Sequence, residues 1–255
     1  MRIFITGAAN GIGKATAEKL VENGHKVIAY DSDGEELENL PTEVQKYQGD
    51  VRDKERLEEV IKKEIFEVLV NCAGLQKQGS VEDMSINDFQ EHMEVNYIGT
   101  VKAVKTALPM IRERGGRVIN VSSIAGKLTT PFLGGYSASK HAVEAFTDSL
   151  RMEISGSNVN VVLVEPGPIE TGFNERARNH LREYLPGSNF SKEYREKLEK
   201  DYRGADPEKP ASKILKAIES RKPRSRYSTP LKYRILLLLQ PMIPTLVKDY
   251  LSRRR

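Results

Sequence analysis

The chain of 255 residues has one cysteine, no tryptophan and four histidines. The single cysteine, Cys72, excludes a disulfide scaffold and a zinc site built on cysteines, and the scattered histidines predict no metal site. The sequence contains no run of about 18 apolar residues, so no transmembrane helix is expected. Its first residues, MRIFITGAAN, lack the pattern of a secretory signal peptide, and we therefore expect a cytoplasmic protein.

Positive charge is concentrated in the last part of the chain. Residues 221–255 contain ten lysines and arginines and one aspartate, whereas the other 220 residues have an excess of acids. Three explanations for the extension 231–255 remain open: it packs on the body or covers a pocket, it is a peripheral membrane anchor, or it binds nucleic acid. Apolar residues between basic ends suit the first two. The third lacks a groove-fitting motif and stacking aromatics, so no nucleic-acid partner is predicted.

Short apolar runs alternate with amphipathic stretches along most of the chain. The runs predict strands at 2–6, 26–30, 44–50, 68–72, 117–121, 159–164 and 226–229. Helices are predicted at 12–23, 52–63, 87–113, 136–155 and 211–220, with two or three more within 172–210. Strands that alternate with helices, and are apolar on both faces, are typical of a buried parallel sheet. We predict an α/β fold: one domain over 1–230, with a doubly wound, mostly parallel Rossmann sheet of seven strands and helices on both faces.

A glycine-rich loop joins the first predicted strand to the first predicted helix. In such a loop one glycine permits a tight turn, one lets a pyrophosphate approach the backbone, and one allows close contact between helix and sheet. Free N–H groups at the start of the helix favour an anion. The alternative is a glycine-rich turn without a ligand. We predict that a dinucleotide binds at Gly7, Asn10, Gly11, Ile12 and Gly13.

An acidic residue, Asp31, ends the second predicted strand. Its carboxylate can accept hydrogen bonds from both hydroxyls of an adenosine ribose, and it repels a 2′-phosphate. No lysine or arginine follows at 32–34, and Lys14 is expected to lie within the first helix. These residues predict NAD, not NADP, as the cofactor, although Asp31 is also compatible with an ordinary solvated turn.

The remaining motifs resemble those of the short-chain dehydrogenase/reductase family, in order and in spacing, over roughly residues 1–220. They follow the TGxxxGIG loop and are Gly49-Asp50-Val51, Asn71-Cys72-Ala73-Gly74, Val95-Asn96, Val121-Ser122-Ser123, Tyr136-Ser137-Ala138-Ser139-Lys140 and Pro166-Gly167-Pro168-Ile169-Glu170-Thr171. One departure is Cys72, where the family has a second asparagine. The C-terminal extension resembles that of members that oxidise steroids, retinoids or other bulky secondary alcohols.

The resemblance implies that Asn96, Ser123, Tyr136 and Lys140 are catalytic. Tyr136 would exchange a proton with the substrate oxygen, Ser123 would donate a hydrogen bond to that oxygen, and Asn96 would hold a water that links Lys140 to solvent. Tyr136 and Lys140 lie four residues apart and share one face of a helix. Because a nearby ammonium favours the phenolate, we expect Lys140 to lower the pKa of Tyr136. Each residue alone also has an ordinary explanation, as a surface pair, a strand end or a helix cap.

The resemblance also implies contacts with the cofactor beyond the glycine-rich loop. These would come from Asp50, Val51, Asn71, Ala73, Gly74, Tyr136, Lys140, Pro166, Gly167, Ile169 and Thr171. The family commonly forms dimers through two long helices, so a homodimer or homotetramer is expected.

The substrate would be selected by loops at 76–79 and 128–133 and by the helices of 172–220. The apolar stretch LTTPFL at 128–133 favours a hydrophobic alcohol or ketone over a sugar. We therefore predict a NAD-dependent alcohol dehydrogenase or ketone reductase. Two alternatives remain: a NAD-binding scaffold or redox sensor without turnover, and the same enzyme acting at a membrane surface.

Overall fold

The computed structural model describes residues 1–200 and 204–230, together with Tyr233, Ile235, Leu237, Leu239 and Pro244. The strands in this part of the chain are β1 (Arg2–Thr6), β2 (Lys26–Asp31), β3 (Gln45–Gln48), β4 (Val68–Asn71), β5 (Arg117–Val121), β6 (Asn160–Pro166) and β7 (Arg226–Thr229). They form one sheet in the order β3-β2-β1-β4-β5-β6-β7, and every pairing is parallel. The predicted seven-stranded Rossmann-like α/β fold is confirmed.

Helices connect the strands and cover both faces of the sheet. They are α1 (Gly11–Glu22), α2 (Gly34–Glu38), α3 (Lys54–Lys63), α4 (Ile86–His92), α5 (Gly99–Arg114), α6 (Gly134–Glu153), α7 (Gly172–Tyr184), α8 (Ser191–Glu199) and α9 (Glu208–Glu219). Strands are added on one side of β1 first and then on its other side, beginning with β4. Sheets with this reversal have a crevice at the carboxyl ends of the strands, where ligands bind.

Alternate residues of β1 face two separate apolar clusters. Ile5 packs in one cluster with Leu20 of α1 and Ile218 of α9. Its neighbour Phe4 faces the opposite side and packs in the other cluster with Ile61 of α3. These side chains are fully buried, and each contributes roughly 1.5–3 kcal/mol by leaving water. Burial on both faces explains why the strands of this sequence are continuously apolar.

The single helix predicted over 87–113 is divided in the structure. α4 ends at His92, a π-helical segment occupies Met93–Ile98, and α5 begins at Gly99. The wider turn contains Asn96, whose backbone carbonyl accepts a hydrogen bond from Thr100 Oγ1 at 2.9 Å. π-Helical turns inside helices occur frequently at functional sites.

A short helix also forms where the sequence shows only a polar, glutamate-rich stretch at 33–40. Asp33 caps α2 by accepting a hydrogen bond from the backbone N–H of Glu36 at 3.1 Å. Leu37 is the buried residue of this helix. One apolar residue in five gives no helical periodicity, which is why the pattern of the sequence did not reveal α2.

The extension after β7 begins against the body of the protein. The ring of Tyr233 packs on Gly167, where an added Cβ would overlap it, and Leu237 is buried. Ile235 and Leu239 are about half exposed. In the described part of the chain, no helix is long and apolar enough to cross a membrane. Most of 231–255, on which the membrane and nucleic-acid explanations depend, lies outside the described residues.

Candidate active site

A cleft of about 1010 Å³ opens at the carboxyl ends of the strands. Its wall is formed by the loops that follow the first six strands, β1 to β6, and by parts of α6, α7 and α8. The predicted site residues on this wall are Gly7, Asn10, Gly11, Ile12, Gly13, Asp31, Asp50, Val51, Ala73, Gly74, Ser123, Tyr136, Lys140, Pro166, Gly167, Ile169 and Thr171. The structure therefore brings together all but two of the residues singled out in the sequence.

The glycine-rich loop leaves no room for side chains at two of its positions. Gly7 has a φ of 68°, in the left-handed region that favours glycine, and a Cβ there would overlap the backbone of Ala73. A Cβ at Gly13 would overlap the carbonyl oxygen of Gly7. The two glycines thus permit a tight turn that directs the N-terminus of α1 at the cleft.

Carboxylates dominate the end of the cleft beside β2. Asp31 accepts hydrogen bonds from the backbone N–H groups of Ala9 at 2.9 Å and Asp33 at 3.0 Å. The nearest bases are already ion-paired. Arg52 lies 2.7 Å from Asp50 and 3.1 Å from Glu91. Lys14 of α1 lies 3.8 Å from Glu36 of α2.

Tyr136 and Lys140 occupy the opposite end of the cleft, one turn apart on α6. Both are buried, with 8% and 5% of their surface exposed. Lys140 Nζ lies 5.9 Å from the centre of the Tyr136 ring and donates a hydrogen bond to the carbonyl oxygen of Val121 at 3.0 Å. Ser123 follows β5 on the same side of the cleft, where its Oγ accepts a hydrogen bond from the N–H of Ala125 at 3.1 Å.

Burial changes the proton affinities of both residues. Loss of water raises the pKa of Tyr136 to about 12, and the neighbouring Ser123 hydroxyl acts in the opposite direction. Loss of water lowers the pKa of Lys140 to about 8, although Cys72 and Glu144 oppose this change. The lowered pKa that the sequence predicts for Tyr136 is therefore wrong, since desolvation of the phenolate dominates and Lys140 donates its hydrogen bond to Val121.

Asn96 lies beside Lys140 but not on the cleft wall. Its side chain accepts a hydrogen bond from the N–H of Leu75 at 2.7 Å and donates to the carbonyl of Leu75 at 2.9 Å and to Ser139 Oγ at 2.8 Å. A Cβ at Gly74 would lie 3.2 Å from Asn96 Oδ1 and 3.6 Å from Lys140 Nζ. Asn96 therefore fixes the loop after β4 against α6, and the water predicted beside it stays a prediction.

Asn71, predicted to contact the cofactor, does not reach the cleft either. It is buried within the sheet, where it pairs with Asn120 of β5 and donates a hydrogen bond to Asn120 Oδ1 at 2.8 Å. Asn120 in turn donates to Thr147 Oγ1 of α6 at 2.9 Å. The side-chain amide of Asn71 thus joins β4 to β5, and the cofactor contact expected of this residue stays a prediction.

Several cleft residues gave no signal in the sequence. Phe173 of α7 contacts the Tyr136 ring edge to face, with 6.2 Å between ring centres, and His92 lies 6.4 Å away on another side. Four cations from the charged segment after β6 also line the cleft: Arg176, Arg178, Lys197 and Lys200. The described residues contain no group of three histidine, cysteine or acidic side chains placed to hold a metal ion.

Comparisons with known proteins agree with this geometry. The sequence profile of the short chain dehydrogenase family matches residues 1–182. The chain is 34% identical to the probable short-chain type dehydrogenase/reductase VdlC of Helicobacter pylori, covering 98% of this chain and 95% of that protein. It is also 34% identical to the 3-ketodihydrosphingosine reductase of Bacteroides thetaiotaomicron, over 88% and 86% of the two chains.

Solved structures show the same relationship. A serine dehydrogenase complexed with NADP+ superposes with a TM-score of 0.79 at 26% sequence identity, covering 90% of this chain and 94% of that one. The family match, the two relatives and the shared fold confirm the resemblance found in the motifs. This chain belongs to the short-chain dehydrogenase/reductase family of oxidoreductases.

Proposed function

We propose that the protein interconverts a secondary alcohol and a ketone, with NAD as its cofactor. The observation behind the proposal is that two groups of functional residues lie at the two ends of one cleft. A buried tyrosine and lysine lie beside Ser123 at one end, and a glycine-rich loop with a carboxylate lies at the other. Such a cleft can hold a dinucleotide and a small carbonyl compound side by side.

The residues present fit a dinucleotide. Glycine at positions 7 and 13 permits the tight turn that brings the start of α1 to the cleft, where its free N–H groups can bind a pyrophosphate. Asp31 would hold the adenosine ribose, Lys140 the nicotinamide ribose, and Ile169 and Thr171 the carboxamide. When bound, the oxidised cofactor accepts a hydride from an alcohol, and the reduced form delivers one to a ketone.

Tyr136 is suited to exchange the proton that accompanies the hydride. With a pKa of about 12 it carries its proton at neutral pH, so it can donate to the oxygen of a ketone as that oxygen gains negative charge. The Ser123 hydroxyl would donate a second hydrogen bond to the same oxygen. In the direction of alcohol oxidation, the ammonium of Lys140 and the positive charge of the oxidised cofactor would both stabilise the phenolate.

An apolar substrate fits the surroundings of Tyr136. Leu128, Leu133 and Phe173 line the cleft beside it. This composition supports the hydrophobic alcohol or ketone predicted from the sequence.

The preference for NAD is supported by the charges at the adenosine end. A 2′-phosphate there would meet Asp31 and Asp33, whereas Arg52 and Lys14 are held by other carboxylates. Relatives do not decide the choice, because one with 32% identity is named an NADPH-dependent 3-dehydrocapnine reductase, from Ornithobacterium rhinotracheale.

Removing the charge of Asp31 is expected to weaken the preference for NAD. In Asp31→Asn one amide oxygen remains as an acceptor, in place of the two carboxylate oxygens that bind the N–H groups of Ala9 and Asp33, and repulsion of the 2′-phosphate is lost. The ratio of kcat/KM for NAD to that for NADP should fall about 10–100-fold, as expected for removal of a like-charge contact. Steady-state kinetics with both cofactors measure the ratio. Glu35→Gln, on the exposed side of α2, is the matched control and should leave it unchanged. Equal use of NADP by the unmodified protein would contradict the proposal.

A substrate panel tests the reaction itself. Reduction of NAD is followed with secondary alcohols, steroids and polyols, and oxidation of NADH with the corresponding ketones. We expect turnover of apolar secondary alcohols and little turnover of polyols. Tight binding of NAD without turnover of any member would favour the alternative of a non-catalytic NAD-binding scaffold.

A further inference from the structure

The two ends of the cleft carry opposite charge. The carboxylates on its described wall lie at the adenosine end or pair there with Arg52; they are Asp31, Asp33, Asp50 and Glu91. Besides Arg52 and Lys140, four cations line the wall, on α7 and on or just after α8; they are Arg176, Arg178, Lys197 and Lys200.

The helix that carries Lys197 is held firmly in place. Tyr194, fully buried and one turn earlier on α8, accepts a hydrogen bond from the N–H of Ser80 at 2.8 Å and donates one to Asp83 at 2.5 Å. After α8, the carbonyl of Lys200 accepts a hydrogen bond from Arg178 at 2.9 Å. These bonds hold the backbone that carries Lys197 and Lys200 against the rest of the protein.

Lys197 also lies over an unusual residue. Its Nζ is 5.4 Å from the centre of the Phe132 ring, which packs against Tyr194 with 5.2 Å between ring centres. Phe132 has a φ of 70°, in the left-handed region that is strained for a residue with a side chain. Its carbonyl is fixed by the N–H of Gly79 at 3.1 Å. Fixed, strained residues of this kind cluster at ligand sites.

Within the described residues, no carboxylate forms an ion pair with Arg176, Lys197 or Lys200. Burial lowers the pKa of Lys197, and the neighbouring Lys200 lowers it further. Lys77, by contrast, lies 2.7 Å from both Asp88 and Glu91. A partly desolvated cation without a counter-charge is costly, and an anionic ligand would remove that cost.

The basic end is connected to Tyr136 by apolar surface. Phe173 touches the Tyr136 ring, and Lys197 lies over Phe132, the residue before Leu133. A ligand that extends from Tyr136 towards the basic end thus passes Phe173 and Leu133 before it reaches the cations.

We propose that Lys197 and Lys200 bind an anionic group, a carboxylate or a phosphate, at the far end of an apolar substrate whose carbonyl or hydroxyl reaches Tyr136. The proposal rests on the proposed function, because it names the substrate class of the same site. The substrates are then apolar keto or hydroxy compounds with an acidic terminus, and neutral compounds of equal length are poorer ligands.

Calorimetry on the NAD-loaded protein tests this without turnover. Octanoate and octyl phosphate are compared with octanamide, which has the same chain but no charge. At low salt we expect the better of the two anions to bind about tenfold more tightly than the amide, and we expect high salt to reduce the difference. Whichever anion binds more tightly identifies the terminal group as a carboxylate or a phosphate.

Charge-reversal variants identify the residues that produce the preference for anions. Lys197→Glu should abolish the preference for the anions, and Lys200→Glu, at an exposed position, should reduce it. Lys192→Glu lies on the same helix but not on the cleft wall, so it should leave the preference intact. Thermal unfolding confirms that each variant is folded.

Three results would overturn the inference: equal binding of anion and amide, an unchanged preference in both cleft variants, or a loss of NAD affinity in Lys197→Glu with no change for octanoate. The last would assign the cations to the cofactor. Turnover of neutral ketones without any anion preference would leave the proposed function intact and remove only the inference. A selective anion site without turnover would do the reverse.

Discussion

Tyr136→Phe is expected to lower turnover by about 10²–10⁴-fold, the range for loss of a positioned proton donor, and to leave NAD affinity nearly unchanged. Phenylalanine keeps the ring and its edge contacts with His92 and Phe173, and it removes only the hydroxyl. Steady-state rates in both directions measure the first effect, and titration with NADH fluorescence measures the second.

A second tyrosine of the cleft provides the control for this experiment. Tyr233 also lines the cleft, at Gly167, and Tyr233→Phe should retain most of the activity. Full activity of Tyr136→Phe would exclude Tyr136 as the acid and base. A parallel loss of NAD binding would instead show that the substitution disturbs the cleft.

Lys140→Met is expected to abolish turnover and, at the same time, to stabilise the fold at neutral pH. The ammonium is buried, and its pKa falls from 10.5 in water to about 8. Each unit by which the pKa is lowered corresponds to about 1.4 kcal/mol of stability that the buried charge costs the folded protein. The variant regains this free energy but loses the contribution of the hydrogen bond to Val121. We expect the free energy of unfolding at pH 7 to rise by about 1–3 kcal/mol in the variant, measured by urea denaturation.

The pH dependence of this difference has a definite sign. Below about pH 8 the folded unmodified protein keeps a charged Lys140 out of water, so the full free-energy cost of burying that charge is present. Between pH 8 and 10.5 the folded protein releases that proton before the unfolded chain does, and the parent gains stability relative to the variant. The gap should therefore shrink as pH rises. Lys62→Met, at an exposed site, should show no such trend, and a less stable Lys140→Met at pH 7 would contradict the expectation.

The sequence predicted best those features that depend on the backbone or on strict periodicity. Gly7 and Gly13 are constrained by the absence of space for a Cβ, so their spacing indicated the loop correctly. Continuous apolar runs indicated most of the strands, because both faces of the sheet are covered. The sign of the Tyr136 pKa change could not be predicted, since the depth of burial depends on how α7 packs over α6 and not on the four-residue spacing to Lys140.

Features that depend on long-range packing were missed. The π-helical turn at Met93–Ile98 has nearly the same apolar pattern as a regular helix, and only the bonds from Asn96 to Leu75 and Ser139 show why it widens. Asn71 faces Asn120 because of the strand register, which the motif alone does not give. In the sequence Lys197 is one of many charged residues in a helix-prone segment, so nothing there places it at the cleft. In the structure the hydrogen bond between Tyr194 and Ser80 holds its helix beside the cleft.

The wall of the cleft is drawn from nearly the whole length of the described chain, from Gly7 to Tyr233. A ligand that fills it therefore holds together segments that local opening would separate. Its binding free energy opposes unfolding of the entire domain, and a ligand at about 100 times its Kd contributes about 2.7 kcal/mol. The lifetime of the folded chain in a cell, and its resistance to proteases, should then follow the supply of the molecule that occupies this cleft.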